Sequence, residues 1–270
     1  MPKNLKVTIV QQPLVWQDVQ ANLYHFSTVL HSLKKGSTDV IVLPEMFNTG
    51  FAMEATHLAE TEGGPTMLWM AELAATKRAA VCGSIMIKEK KHIYNRFVWM
   101  YPDLSYNTYD KRHLFRLSKE HELFTAGKES VLIEHNGWTI CPQICYDLRF
   151  PVWSRNRLAK ISETQVAPEY EVLLYTANWP KVRSFAWNHL LIARAIENQC
   201  YVVGVNRTGK DGTGMDHSGD SVVLDPLGEK ISKGKGSKPF IETVTLDAKH
   251  ITKLRESFPV LMDGDVFSVK

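Results

Sequence analysis

The chain contains 270 residues, of which 44% are hydrophobic and 23% charged, a composition typical of globular proteins and sufficient for one large core. Its formal net charge of +3 is small and its basic residues are scattered, which excludes a strongly basic nucleic-acid-binding surface. No apolar run approaches the ~20 residues of a membrane span, and the segment before the first predicted strand carries no signal-peptide core. We therefore expect no nucleic-acid and no membrane partner.

The predicted secondary structure alternates strands and helices along the whole chain, which indicates the α/β class. No linker and no internal repeat divides the chain, so residues 1–270 are expected to form a single domain. Periodicity alone does not distinguish a layered sandwich from a doubly wound sheet. In chain order the predicted elements are strand 5–11, helix 18–34, strand 39–43, helix 65–78, strand 80–87, hairpin 93–111, strand 138–144, a short helix after Pro151, strand 171–177, helix 183–198, strand 200–205, a hairpin at 225–228 and helix 247–257.

The first polar residue of interest is Glu45, which follows the apolar strand 39–43. Pro44 cannot continue a central strand, so the carboxylate is expected at the strand end. Apolar neighbours such as Met46 and Phe47 would raise its pKa toward the range of a general base. The alternative is an ordinary acid at a helix N-terminus.

Lys111 ends the second arm of the predicted hairpin, in the segment Tyr-Asp-Lys-Arg-His. A lysine at a strand end can face a cavity, whereas the ordinary reading is a solvated surface lysine.

Cys145 ends another apolar strand, in the segment Ile-Cys-Tyr-Asp-Leu-Arg-Phe-Pro, and polar residues follow it. Parallel strands present functional groups where they give way to a loop, so this thiol is placed like a nucleophile. The alternative is a buried cysteine that acts as a small hydrophobe. Cys82, Cys141 and Cys200 have no disulfide or zinc spacing, which predicts no metal and a cytoplasmic location.

Together, Leu-Pro-Glu45, Tyr-Asp-Lys111 and Ile-Cys145-Tyr-Asp resemble the Glu–Lys–Cys triad of the nitrilase (carbon–nitrogen hydrolase) superfamily, in that family's order and spacing. The segments 174–180, 193–199 and 204–209 are similar to its omega-amidase branch. The resemblance implies a four-layer α-β-β-α sandwich and no cofactor. It also implies hydrolysis of the side-chain amide of 2-oxo acids such as 2-oxoglutaramate and 2-oxosuccinamate.

The resemblance also assigns roles to the three side chains. Glu45 would deprotonate Cys145, and a thioester would form and then be hydrolysed. Lys111 and the backbone N–H of Tyr146 would stabilise the oxyanion. A second carboxylate assists in this family, and by position it is Glu120, with Glu122 as the alternative.

Substrate recognition is expected to involve residues near the strand ends. The carboxylate of a 2-oxo acid amide favours a bidentate arginine, and the candidates are Arg149, Arg183 and Arg207. Asn178 is expected to orient the substrate. Trp179 and Phe47 would wall the pocket, unless they only pack in the core.

Two other function classes remain open from the sequence. A papain-like Cys–His hydrolase would pair the thiol with a histidine, for which His113 is the best placed, and a non-catalytic protein on the same fold is the second. Within the superfamily, N-carbamoyl amidase and nitrilase are the competitors. The apolar tail 258–270, unless it folds back onto its own core, predicts a homodimer or larger oligomer with residues 258–268 at the interface.

Overall fold

Two β-sheets stack face to face in this computed structural model, which describes residues 2–160, 162–234 and 236–269. Within those residues, the larger sheet has six strands, in the spatial order Phe240–Leu246, Leu5–Gln11, Val40–Val42, Ala80–Glu89, His92–Met100 and Tyr106–Asp110. The other large sheet has five strands, in the order Val222–Leu224, Tyr201–Asn206, Val172–Ala177, Trp138–Ile144 and Ile133–His135. Two small ribbons pair Thr208–Lys210 with Asp216–Ser218 and Leu158–Lys160 with Val166–Pro168.

Helices cover the outer faces of the two sheets. Helices Val19–Leu30 and Pro65–Lys77 form a second core with the outer face of the six-stranded sheet, and helix Ser184–Asn198 packs on the five-stranded sheet. Helix Ala248–Ser257 buries Ala248 and Ile251 in the main core. The remaining helix is the short segment Glu120–Leu123. The predicted four-layer α-β-β-α sandwich is confirmed.

The main core lies between the sheets and combines their inner faces. Val7, Val42 and Trp99 from the six-stranded sheet share it with Trp138 and Val203 from the five-stranded sheet. β-Branched and aromatic side chains dominate these strands because they pack well on a pleated surface. The core therefore fixes the two sheets against each other, and with them the strand ends that carry polar residues.

Helix boundaries follow local capping chemistry. Asp18 accepts a hydrogen bond from the Ala21 N–H at 2.9 Å, and Pro65 occupies the first turn of its helix. The helix predicted at 18–34 ends earlier, at Leu30. The short helix expected after Pro151 is wrong, because residues 151–154 form a turn and a 3-10 helix, Cys145–Arg149, precedes it.

None of the helices in the described part of the chain has the length and hydropathy that a membrane span requires.

Candidate active site

The thiol of Cys145 lies at a sharp turn between a strand and a 3-10 helix. Strand Trp138–Ile144 ends one residue before it, and its φ of +43° is a conformation that non-glycine residues rarely adopt. The residue is only 9% exposed. Burial raises the pKa of the thiol well above its usual value; the charge of Glu45 also raises it, and that of Lys111 lowers it. The resting group is therefore a protonated thiol that needs a base.

Glu45 supplies a carboxylate directly beside that thiol. It is fully buried, and its interaction with Cys145 contributes to the raised pKa of the thiol. One oxygen accepts from Lys111 Nζ at 2.8 Å, and the other accepts from the Asn178 backbone N–H at 2.8 Å. The side-chain amide of Asn178 also donates to the Glu45 carbonyl oxygen. Both ends of this residue are therefore held, so the carboxylate has a fixed direction.

Lys111 lies between two buried carboxylates. Its Nζ donates to Glu45 at 2.8 Å and to both oxygens of Glu120 at 3.0 Å. Burial lowers the pKa of Lys111, but the charges of Glu120 and Glu45 outweigh it, and the pKa lies above its usual value. Lys111 is therefore a fixed cation at the bottom of the site.

Glu120, and not Glu122, is the second carboxylate of this cluster. Glu120 is fully buried and also accepts from the Phe115 N–H at 2.6 Å, whereas Glu122 is exposed. Burial raises the pKa of Glu120, the lysine charge lowers it, and the Glu45 charge raises it. We refer to Glu45, Lys111, Glu120 and Cys145 as the catalytic floor.

Asn95 joins the two carboxylates and was not among the expected site residues. Its side-chain amide donates to Glu45 at 2.8 Å and to Glu120 at 3.2 Å, from the middle of strand His92–Met100. Asparagine is depleted in strands. An asparagine inside a predicted strand was therefore a sequence signal that pointed to this position.

A cavity of about 390 Å³ opens above the catalytic floor, within the usual range for a small-molecule site. Lys111, Cys145 and Asn178 lie at its base. The walls come from three separated loops and from the residues that follow two strands: Phe51, Met53, Glu54, Phe115, Leu117, Ser118, Tyr146, Arg149, Trp179, Pro180, Arg183, Asp211, Thr213, Met215 and His217.

Two arginines line the cavity without an acidic partner among the described residues. The guanidinium of Arg149 lies 4.9 Å from the centre of the Trp179 ring, and that of Arg183 lies 5.6 Å from the centre of the Phe115 ring. Stacking on a ring face leaves the edge N–H groups of a guanidinium free to bind an anion. We refer to Arg149 and Arg183 as the arginine rim.

Tyr146 and Trp179 complete the contact surface. Tyr146 directly follows Cys145, is half-buried, and packs its ring against Phe115 at 5.0 Å between centroids. Trp179 donates its indole N–H to the Arg183 carbonyl at 2.8 Å. This bond connects Trp179, on which Arg149 stacks, to the backbone of Arg183.

Two residues expected to bind substrate do not reach the cavity. Phe47 is fully buried in the second core, edge-on to Phe26 at 5.7 Å, because the turn after Glu45 directs it under the helices. Arg207 is also fully buried, donates to the carbonyls of Thr208, Leu14 and Lys210, and has a pKa lowered to about 10 by burial. Both placements favour packing roles.

The aromatic wall of the cavity instead contains Phe51, four residues after Phe47. Lys111 Nζ lies 5.1 Å from the centre of its ring. No periodic pattern marks Phe51, since it lies in a turn.

No group of three or more His, Cys, Asp or Glu side chains that could hold a metal ion occurs among the described residues. The groups present can move a proton between a thiol and a carboxylate and stabilise a negative oxygen beside a fixed cation. Covalent catalysis on a carbonyl compound is the chemistry that this set provides.

Comparison with known proteins agrees with this geometry. Residues 6–256 match the Carbon-nitrogen hydrolase family. The chain is 45% identical over 265 residues to Omega-amidase YafV of Yersinia enterocolitica, covering 97% of this chain and 98% of the relative. It is 34% identical to the 2-oxoglutaramate amidase of Bacillus subtilis, over 83% of this chain and 84% of the relative.

A solved structure is also similar over nearly the whole chain. The CN-hydrolase superfamily protein XC1258 of Xanthomonas campestris, whose structure carries an arsenic adduct in the active site, superposes with a TM-score of 0.95. It is 40% identical in sequence, and the match covers 99% of both chains.

Proposed function

Because this chain belongs to the carbon–nitrogen hydrolase family and is an amidase, we propose that it hydrolyses the side-chain amide of 2-oxo acid amides, namely 2-oxoglutaramate and 2-oxosuccinamate. The products are the dicarboxylate and ammonia. The observation that carries this proposal is a catalytic floor of the Glu–Lys–Cys kind below two cavity arginines that have no acidic partner among the described residues. The names of the relatives from Yersinia and Bacillus support the same substrate class.

The first half of the reaction forms a thioester. Cys145 Sγ attacks the amide carbon while Glu45 accepts the thiol proton, so the sulfur develops no free negative charge in a buried site. The carbonyl oxygen becomes an oxyanion, which Lys111 and the Tyr146 backbone N–H stabilise. Glu45 then gives its proton to the leaving nitrogen, and ammonia departs.

The second half hydrolyses the thioester. Glu45 takes a proton from water, the resulting hydroxide attacks the thioester carbon, and the proton returns to the Cys145 sulfur as the C–S bond breaks. Both oxygens of Glu120 accept from Lys111, and its charge raises the pKa of that lysine, so its role in this proposal is to hold Lys111 in place and charged.

The far end of the substrate is a carboxylate, and the arginine rim is its binding site in this proposal. Arg149 and Arg183 are cationic and lack an acidic partner in the described residues, so an anion gains a charge-assisted contact without breaking an existing ion pair. The Asn178 side chain, whose Oδ1 has no described partner, orients the amide end. Trp179 supports Arg149.

The papain-like alternative is disfavoured by the position of His113. Its Nδ1 bonds the Asp147 carboxylate at 2.8 Å and its ring stacks on Phe150, so its contacts are not with the thiol. Glu45→Gln tests this point, because a Cys–His enzyme would tolerate the change and a Glu–Lys–Cys enzyme would lose turnover.

The experiment that tests the substrate class is ammonia release across a panel of 2-oxoglutaramate, 2-oxosuccinamate, glutamine, an N-carbamoyl amino acid and a nitrile. We expect the highest kcat/KM with the two 2-oxo acid amides and no activity of Cys145→Ala on any of them. Preference for the N-carbamoyl compound or the nitrile would move the protein to another branch of the family.

We also propose a cytoplasmic homodimer or larger oligomer in which residues 258–268 line the interface. In this tail Leu261 is buried against the protein, but Phe258, Met262 and Val266 are 63%, 53% and 103% exposed. Exposed apolar residues of this kind mark association surfaces. Sedimentation as a monomer at micromolar concentration would contradict the oligomer, and a dimer that survives truncation after Ser257 would move its interface elsewhere.

A further inference from the structure

A single buried carboxylate, that of Asp147, connects the turn that carries the thiol to the segment that carries the lysine. One of its oxygens accepts from the Ile144 N–H at 3.0 Å and from the Tyr109 hydroxyl at 2.8 Å. The other accepts from the His113 N–H at 2.9 Å and from His113 Nδ1 at 2.8 Å. Asp147 is fully buried and does not line the cavity.

The positions of these donors relate directly to the catalytic floor. Ile144 immediately precedes Cys145, while Tyr109 and His113 lie two residues before and two residues after Lys111. The two segments come from different sheets, since strand Trp138–Ile144 belongs to the five-stranded sheet and strand Tyr106–Asp110 to the six-stranded sheet. Asp147 therefore bridges the sheets at the level of the reacting groups.

We propose that Asp147 is a positioning residue, which sets the distance between the Cys145 turn and the Lys111 ammonium and so aligns the oxyanion contacts. This inference rests on the oxyanion role proposed for Lys111. Asp147 acts through the residues it holds and not by contact with substrate.

The donors around Asp147 are themselves held in place. The Tyr109 hydroxyl accepts from the Trp153 indole N–H at 3.0 Å, and burial together with the Asp147 charge raises the pKa of Tyr109, so its hydroxyl stays a donor. The His113 ring stacks on Phe150 at 3.8 Å between centroids and 7° between planes. A carboxylate that accepts from several fixed donors holds the two segments at a constant distance, because none of its partners can move alone.

The backbone at Cys145 needs such support. A non-glycine residue with a φ of +43° persists only where its surroundings over-determine it. The bond from the Ile144 N–H to Asp147 fixes the Gln143–Ile144 peptide, one residue before this strained position. A misplacement of about 1 Å in a catalytic group can cost roughly 10²-fold in rate.

Asp147→Asn tests the proposal, since it keeps the side-chain size but places an amide N–H₂ against donors. With the amide that the wild type hydrolyses best, we expect kcat to fall roughly 10²-fold and KM to change by less than about threefold. The affinity for the matching aldehyde, which forms a tetrahedral adduct with Cys145, should fall in parallel. Alkylation of Cys145 by iodoacetamide forms no oxyanion, so its rate should stay within about threefold.

Asp225→Asn is the matched control. Asp225 is also a buried turn aspartate that does not line the cavity; it accepts from the backbone N–H groups of Leu227 and Glu229 and lies 3.4 Å from His250 Nε2. We expect this variant to change melting temperature alone. If Asp147→Asn also changes only melting temperature, Asp147 has a purely structural role and the proposal is overturned.

A double-mutant cycle shows whether Asp147 acts through Lys111. In the Lys111→Ala background, Asp147→Asn should weaken aldehyde binding by less than about threefold, because the contact that it aligns is already gone. Full additivity of the two losses would contradict the proposal.

Tyr109→Phe keeps the inference testable if Asp147→Asn does not fold, since it removes one donor and retains the ring. We expect a smaller loss of kcat, about tenfold, at constant KM, and wild-type kcat would count against the proposal. Failure of the wild type to hydrolyse any 2-oxo acid amide would instead reject the proposed substrate class, and the cycle would then use the preferred amide and its aldehyde.

Discussion

The catalytic floor, through Lys111 and Cys145, lines the same cavity as the arginine rim, but the two groups are built in opposite ways. In the floor every charged group is buried and bonded to another, as Lys111 is to Glu45 and Glu120. In the rim Arg149 and Arg183 pack on aromatic rings and have no acidic partner in the described residues. The floor is thus complete before substrate binds, whereas in the proposed function the carboxylate of the substrate supplies the anion that the rim lacks. The difference separates chemistry from recognition, and each half can be tested alone.

The largest expected effect is that of Lys111→Arg, which keeps the charge but puts a wide planar group into a fully buried site. We expect kcat to fall by about 10³-fold, since loss of one oxyanion donor costs up to about 4 kcal/mol. Lys77→Arg is the control, because Lys77 is also buried and donates only to backbone carbonyls of His31 and Leu33. Near-normal turnover of Lys111→Arg would show that Lys111 is not an oxyanion donor.

Glu120→Gln should have a smaller effect that depends on pH. The Glu120 charge raises the pKa of Lys111 against the lowering effect of burial, so its removal brings that pKa down. We expect kcat to fall about 10²-fold and its alkaline limb to move to lower pH, where Lys111 begins to lose its proton. Glu122→Gln, which changes an exposed neighbour, should match the wild type in a kcat–pH profile. Equal profiles for both variants would show that Glu120 is not needed.

Changes in the rim should act on KM and leave kcat nearly intact. We expect Arg149→Gln or Arg183→Gln to raise KM for a 2-oxo acid amide about 10- to 100-fold, because a charged contact to the carboxylate is lost. A neutral aliphatic amide without a carboxylate should be hydrolysed equally by variant and wild type. Arg157→Gln is the control, since Arg157 is an exposed arginine paired with Glu169. A rim variant that lowers kcat at constant KM would show that the rim takes part in the chemical step and not only in substrate binding.

The smallest effect is expected for Phe47→Leu, outside both regions. Its ring packs in the second core, so the substitution should lower the free energy of unfolding by about 1 kcal/mol with unchanged KM. Phe51→Leu should change KM and leave the free energy of unfolding nearly unchanged, because Phe51 lines the cavity. Denaturant unfolding and steady-state kinetics on the pair distinguish the two. A changed KM in Phe47→Leu would show that the second core reaches the substrate.

The fold was predictable from the sequence wherever a pattern spans a whole element. An apolar run precedes Glu45, a largely apolar strand precedes Cys145 and a hairpin pattern precedes Lys111, and the residue at each strand end identifies the sheet edge on which the floor lies. Glu120 and Glu122 are only two residues apart, so their choice needed the structure: the short helix buries one and exposes the other.

The other walls of the cavity were less predictable because loops build them. The cavity walls come from turns near 51–54, 115–118 and 211–217, which have no period to read. Phe47 and Phe51 illustrate this, since a turn between them sends one ring into the core and the other to the cavity. Arg207 follows a strand as Arg149 does, but its guanidinium is used by backbone carbonyls.

The hydrogen bonds from Asn178 to Glu45 determine the stage of folding at which activity can appear. Asn178 follows a strand of the five-stranded sheet, whereas Glu45 follows a strand of the six-stranded sheet. The base is therefore oriented, and brought to the thiol, only after the two sheets have docked. In a partly folded chain the cysteine therefore lacks its oriented base. In a refolding experiment, ammonia release should thus recover with the last, tertiary phase and not with the earlier gain of secondary structure.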